Sequence, residues 1–444
     1  MAAIPNLNTL RIGRGGPRRR GGRGGIGSSS DGEPSERDSE TARDRVVQQT
    51  DHDASSSRMS AIELDYLDDV YAKQLWTPNE KVPKRYPIIN RGTYVRTKAI
   101  DKLVTLFLQA QPTQRKQIVS LGAGSDTRFF RFWVQGLLKD AGVTYHELDF
   151  EANVNQKRHS VRSSSVLSEH IKQAEKAGTS YNLHAIDLRD LTAKSPPPIP
   201  GLEPDLPTLI LSECCLCYLP PDIASSVIQY FTMNMQSALA IAVYEPIRPF
   251  DAFGKTMVSN LASRGIHLQT LKRYSSLEAQ RQRMRLAGLK TCQGARDVYE
   301  LWESTAWVGD EERQRIEGLE WLDEIEEWQL LASHYCVAWG WTGDIFSEAW
   351  AALDGGQSTA ESKHDDVTIN SSTRRAFRDW LDPHGSSSLT ISQETSNGID
   401  KQLYMEQLRS SSRLLRISVN PSTRGIRTQN SRHALGYGAT KPIP

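Results

Sequence analysis

VSLGAGSDTR (119–128) sets Gly122 and Gly124 directly behind an apolar run and directly ahead of a helix-like stretch. A strand, a Gly-x-Gly corner and a helix let backbone approach a ligand closely and aim helix N–H groups at it. The third glycine of the dinucleotide fingerprint is missing, so alone the corner reads equally as a tight turn between buried elements. Its surroundings decide. QIVSL (117–121) reads as a buried strand and DTRFFRFWVQGLL (126–138) as a helix, followed by a second strand, TYHELDF (144–150), and a helix from Glu151. YNLHAIDL (181–188) reads as a third strand, Pro-rich 195–207 as an exposed loop, TLILSEC (208–214) as a fourth strand and LAIAVYEP (239–246) as a fifth. Between the last two a helix opens at Pro221 and Asp222, a position that suits proline. Such alternation predicts an α/β, doubly wound parallel sheet. Residues 247–273 break it and stand where a lid would be. SSLEAQRQRMRLAGL (275–289) has a serine cap and an early acid, and 290–298 with 334–341 read as a final hairpin-like pair of strands.

The flanks differ in composition. Of 444 residues only 38% are hydrophobic and mean hydropathy is −0.51, as for a core diluted by polar segments. The polar segments are 1–46, an Arg/Gly run and then a Ser/acidic run, and 344–444, rich in serine with room for a short helix around 400–415. Both are expected to be disordered, leaving one domain over 47–343. An RGG-like run can touch RNA, but a solvated extension is the commoner reading and a nucleic-acid partner is not expected. The net charge of +1 argues against recruitment by a global field. With no apolar stretch of membrane-spanning length and no secretory segment, the expectation is a soluble, cytoplasmic monomer. Five cysteines are too few and too clustered for a disulfide framework. Cys214 and Cys215, read as adjacent strand residues, should face opposite ways, so no metal is expected. No period of 20–50 residues suggests a solenoid or propeller.

Acidic residues end the strands. Asp149, 25 residues after Gly124, can accept hydrogen bonds from both hydroxyls of a ribose, or simply cap the helix after it. Asp187 could meet an adenine amino group while Leu188 packs on the ring, or form a turn. Glu213 stands at the edge where open α/β sheets bind ligands and needs a cation, from a ligand or from a nearby arginine. In YPIINRGTYVRTKAID (86–101), Arg91, Arg96 and Lys98 form either a solvated face or a partly buried group seeking carboxylates.

Taken in order, INRGTYVR, LGAGSDTRFF, HELDF, DLRDL and SECCLCYL resemble the leucine carboxyl methyltransferase family over roughly residues 48–343. The likeness is strongest to eukaryotic members acting on the protein phosphatase 2A catalytic subunit. It extends to 245–265 and 319–341. It implies a seven-stranded Rossmann-like class I methyltransferase sheet with an N-terminal helical segment and a lid at about 247–273. It further implies S-adenosyl-L-methionine as cofactor and methylation of the phosphatase's C-terminal leucine carboxylate. By motif position, the cofactor contacts would be Arg58, Arg96, Gly122, Asp149, Asp187, Leu188 and Glu213. Arg96 and Tyr218 would orient the acceptor carboxylate, and Arg96→Ala would abolish turnover with the fold intact. This sequence departs from the family in having arginine at 58, where lysine is more usual, and Asp65 where glycine is expected before Tyr66. Two alternatives remain: a small-molecule O-methyltransferase, and a non-catalytic binding subunit.

Overall fold

The computed structural model describes residues 36–350 and residue 353, apart from 78, 79, 140, 141 and 324. The Arg/Gly run, most of the C-terminal extension and the helix considered around 400–415 lie outside the described residues. In chain order come α1 (Glu36–Glu63), α2 (Ala72–Leu75), α3 (Pro87–Gln109), β1 (Lys116–Leu121), α4 (Arg128–Val134), β2 (Val143–Asp149) and α5 (Glu151–Ser163). Next are α6 (Ser165–Lys176), β3 (Ser180–Ala185), β4 (Thr208–Glu213), α7 (Pro221–Asn234), β5 (Leu239–Pro246), α8 (Ala252–Ala262) and α9 (Leu277–Leu286). The last are β6 (Cys292–Asp297), α10 (Val298–Glu303), α11 (Asp310–Glu317), α12 (Ile325–Ser333), β7 (Tyr335–Thr342) and α13 (Asp344–Trp350).

The seven strands form one sheet in the order β3-β2-β1-β4-β5-β7-β6. The first five are parallel, and β7 runs antiparallel between β5 and β6. Every residue of β1, β2, β4 and β5 is buried, which explains why they read as continuous apolar runs rather than alternations. One face carries a cluster with Phe107, Phe129, Tyr145 and Trp339; the other packs Val119, Ile210, Val227 and Phe231. Strand order reverses between β1 and β4, so a crevice opens beyond their carboxyl ends, next to Gly122 and Glu213.

Several boundaries differ from expectation. The helix α1 starts at Glu36, ahead of the expected limit at 46, and its acidic residues Glu40 and Asp44 pair with Arg189. Partners about 145 positions away leave no local trace in a polar run. At the other end α13 follows residue 343 directly: Phe346 stacks on Phe107 at 4.7 Å, and the Trp350 indole donates to the Leu103 carbonyl at 3.0 Å. The final strands are an antiparallel pair, but α10, α11 and α12 join them in place of a turn. The region 247–273 is helical at α8, where Nε2 of His334 faces both carboxylate oxygens of Asp251, the α8 N-cap, at 3.0 Å. Asp65 adopts φ 61°, a left-handed backbone that explains why glycine suits this position. Among the described residues, no helix is long and apolar enough to cross a membrane.

Candidate functional site

Beyond the ends of β1 and β4 lies a cavity of about 330 Å³, within the usual range for small-molecule sites. The glycine corner forms one wall. Gly122 has φ +60°, and a Cβ there would fall 2.5 Å from the Cys215 sulfur, so only glycine fits. Two residues on, the Gly124 N–H donates to Oδ2 of Asp149 at 2.7 Å. The other oxygen, Oδ1, accepts from the Phe150 N–H at 2.7 Å and from the Asn153 amide at 3.0 Å. Asp149 therefore lines the cavity and also braces the start of α5. Burial raises its pKa above the ordinary carboxylate value, partly offset by these donors.

Asp187 and Leu188 line the same space from the end of the third strand–loop unit. Asp187 accepts from the backbone N–H of Arg189 at 2.9 Å and from its Nε at 3.0 Å. The same guanidinium reaches Glu40 at 2.8 Å and Asp44 at 2.6 Å, tying α1 to this edge. Val47, Gln48, Thr50 and Asp51 of α1 roof the cavity, and Asp51 accepts from the Ser125 N–H at 2.9 Å. The lining also includes Tyr218 from the β4–α7 connection, Ile223 from α7, and His267 and Gln269 from the segment after α8. The Gln269 N–H donates to the Cys217 carbonyl at 2.8 Å.

Three of the residues expected to contact the cofactor are ion-paired within the protein. Arg58, Arg96 and Glu213 do not line the cavity but belong to a buried ionic network beside it. Arg58 donates to Asp69 at 2.6 Å and to Thr97 at 3.4 Å. Arg96 donates to Glu213 at 2.8 Å and stacks over Tyr244 at 4.6 Å, while Arg128 holds the other Glu213 oxygen at 2.9 Å. Arg128 also meets Asp101 at 2.7 Å and Asp126, and Arg131 bridges Asp101 and Asp69. Four guanidiniums thus meet four carboxylates, and the cation sought by Glu213 is arginine. Sequence reasoning missed Arg128, Arg131, Asp101, Asp126 and Asp69, although SDTRFFR carries three of them. It also missed Arg189 and Asp51, whose partners are remote. The charge run of α3 divides: Arg91 is buried 4.8 Å from the Trp302 ring centroid, and Lys98 stays half exposed.

These charges set an acid response. Burial alone would raise Glu213, but Arg128 and Arg96 outweigh it and hold the carboxyl at about 2. Its stabilisation is complete above the unfolded value near 4.5 and is lost as pH falls from there towards 2. At milder pH two groups oppose each other. Burial and the neighbouring His184 lower His146 from 6.5 to about 4, so acidification through that window favours the unfolded chain. Burial raises Glu147 from 4.5 to about 7 despite Lys157, so the same acidification favours the folded chain. The two displacements act in opposite directions. Urea midpoints should therefore change less from pH 7 to 4.5 than below 4.5; a steep fall already between 6.5 and 5 would contradict this opposition.

Apart from Gly265, His267 and Gln269, the residues lining the cavity fall within a match to the family model for leucine carboxyl methyltransferases, which spans residues 38–232 and so includes most of α1. Leucine carboxyl methyltransferase 1 of Aspergillus fumigatus is 48% identical over 394 residues, covering 79% of this chain and 98% of its own. The Emericella nidulans protein of that name is 49% identical over 392 residues, covering 81% and 99%. That of Yarrowia lipolytica is 43% identical over 321 residues, covering 67% and 97%.

Proposed function

Because this chain belongs to the leucine carboxyl methyltransferase family, we propose that it methylates the α-carboxylate of a protein's C-terminal leucine, that of the protein phosphatase 2A catalytic subunit. Its cofactor is S-adenosyl-L-methionine. The observation that carries the reading is a single cavity lined by Gly122 of the glycine corner, Asp149, Asp187 and Tyr218. The donor set fits: Asp149 would accept from ribose hydroxyls, Asp187 from the adenine amine, Leu188 and Ile223 would flank the ring, and Gly122 leaves room for close approach. Bound there, the cofactor supplies an electrophilic methyl group on a cationic sulfur.

The rest falls to the chain's own residues. An α-carboxylate has a pKa of roughly 3.5, so the acceptor arrives ionised at neutral pH and no general base is needed. Tyr218 would donate its hydroxyl to a carboxylate oxygen. Burial pushes the Tyr218 phenol well above its usual value, so it stays a neutral donor. A neutral donor aligns the acceptor without trapping it, which matters because charge is neutralised on the way to the transition state. The α1 roof would exclude water, and the lid region around 247–273, whose end brings His267 and Gln269 to the cavity, would shape the space for leucine. Arg96 serves as a positioning residue, holding Glu213 and with it the turn that carries Cys214 and Tyr218. The site is proposed to work in a cytoplasmic monomer.

Labelled methyl transfer tests the proposal. The intact phosphatase catalytic subunit should take up label, and the same protein lacking its last residue should take up none. Equal labelling of both, or labelling only of small carboxylic acids, would refute it.

A further inference from the structure

The turn after β4 reads Cys214-Cys215-Leu216-Cys217, and methyl transfer assigns these thiols no role. The Tyr218 N–H donates to the Cys215 carbonyl at 3.2 Å and the Leu219 N–H to the Leu216 carbonyl at 3.2 Å. That turn begins after Cys214, which stands three residues before Cys217; a disulfide needs their Cα atoms within about 7 Å of each other. Cys214 leaves the strand with φ 48°, so the expectation of two successive strand cysteines does not hold. Its side chain packs in the same core cluster as Cys217, whereas Cys215 packs with the opposite cluster, against Gly122. The Cys214 and Cys217 side chains are close enough to hydrogen-bond to each other. Of the two, Cys214 lines the cavity and is reached from it.

We propose that Cys214 and Cys217 form a reversible disulfide when hydrogen peroxide enters the cavity, and that this bond switches the site off. The sulfur of Cys214 attacks the peroxide; the O–O bond breaks, one water leaves, and Cys214 becomes a sulfenic acid. The sulfur of Cys217 then attacks that of Cys214; the S–S bond forms, the S–O bond breaks, and the departing hydroxide takes the Cys217 proton as a second water. Two thiols lose two electrons and the peroxide gains them.

The bond reaches the site through the backbone. The Cys217 carbonyl accepts from the Gln269 and Thr270 N–H groups, at 2.8 and 3.4 Å, and Tyr218 is the next residue. Drawing Cys217 to bonding distance of Cys214 moves both walls of the acceptor end. Cofactor in the cavity covers Cys214, so occupancy at ten times the dissociation constant should slow disulfide formation about tenfold. The loss of methyl transfer rests on the proposed function; the formation of the bond does not.

The full chain, treated with hydrogen peroxide, should lose two hydrogens, with fragmentation placing the bond at Cys214 and Cys217 and dithiothreitol reversing it. Methyl transfer should fall and recover in parallel. Cys217→Ser and Cys217→Ala should keep their methyl transfer through the treatment, while Cys292→Ser should behave like the unaltered chain. A Cys217→Ser chain inactivated as fast as the unaltered one would overturn the proposal. So would a bond between other cysteines, or a stable sulfinic acid at Cys214 without a bond. If the bond forms in a chain that transfers no methyl before treatment, the proposed function fails and the thiol chemistry stands.

Discussion

Replacing Arg128 by methionine is expected to lower unfolding free energy by about 3–5 kcal/mol, the usual loss when one partner of a buried ionic group is removed. Three carboxylates touch this guanidinium: Asp101 at 2.7 Å, Asp126 at 2.5 Å and Glu213 at 2.9 Å. Arg131 and Arg96 would still neutralise Asp101 and Glu213 in part, but Asp126 would keep only backbone contacts. Methionine fills similar volume, so the loss reports charge rather than packing. Urea unfolding followed by circular dichroism measures it. A change below about 1 kcal/mol would mean that water or rearrangement replaces Arg128, and that the network is not one unit.

Arg96→Ala is expected to reduce kcat at least about a hundredfold, the scale of effect from a small misplacement near reacting atoms. The sequence alone led to the expectation of an intact fold. Burial of Arg96 against Glu213 revises that: the variant should also lose about 1–3 kcal/mol, since Glu213 keeps Arg128 but loses its second donor. The two effects can be separated. A positioning role predicts lost kcat with little change in the KM for cofactor, and partial recovery in Arg96→Lys, which restores the charge but not the stacked, forked geometry over Tyr244. Near-normal turnover of Arg96→Ala would remove the residue from the mechanism.

Much of this was legible from local pattern. Strands buried on both faces announce themselves as short apolar runs, which is why β1, β2, β4 and β5 stand within a residue of their expected limits, whereas the half-exposed β3 ends at Ala185 rather than at 188. Gly122 and Asp149 reach the cavity from strand ends near the switch point, whereas Asp187 and Leu188 reach it from a turn beyond β3, which stops at Ala185. Arg58, Arg96 and Glu213 have partners that local pattern does not show. A charged residue at a sheet edge needs a counter-charge, and sequence does not say whether a ligand or another side chain supplies it. Here Arg128 and Asp69, separated along the chain from the residues they neutralise, do so. The roof of α1 and the terminal α13 were illegible for a related reason: a polar helix stays put because of what it docks on. Arg189 for one and Phe107 for the other lie far away in sequence.

The position of β7 has a consequence for how the molecule is made. The ribosome delivers β5, then β6 and three helices, before the strand that separates β5 from β6 in the sheet emerges. Until then the apolar edge of β5 has no hydrogen-bonding neighbour on that side, and β6 has nothing to pair with. The cofactor crevice lies between β1 and β4, elements already synthesised by that stage, yet the strand beside β4 is held on only one side. The nascent chain therefore carries a nearly complete binding site on an open sheet, and depends on its last strand to close it and to shield it from other chains.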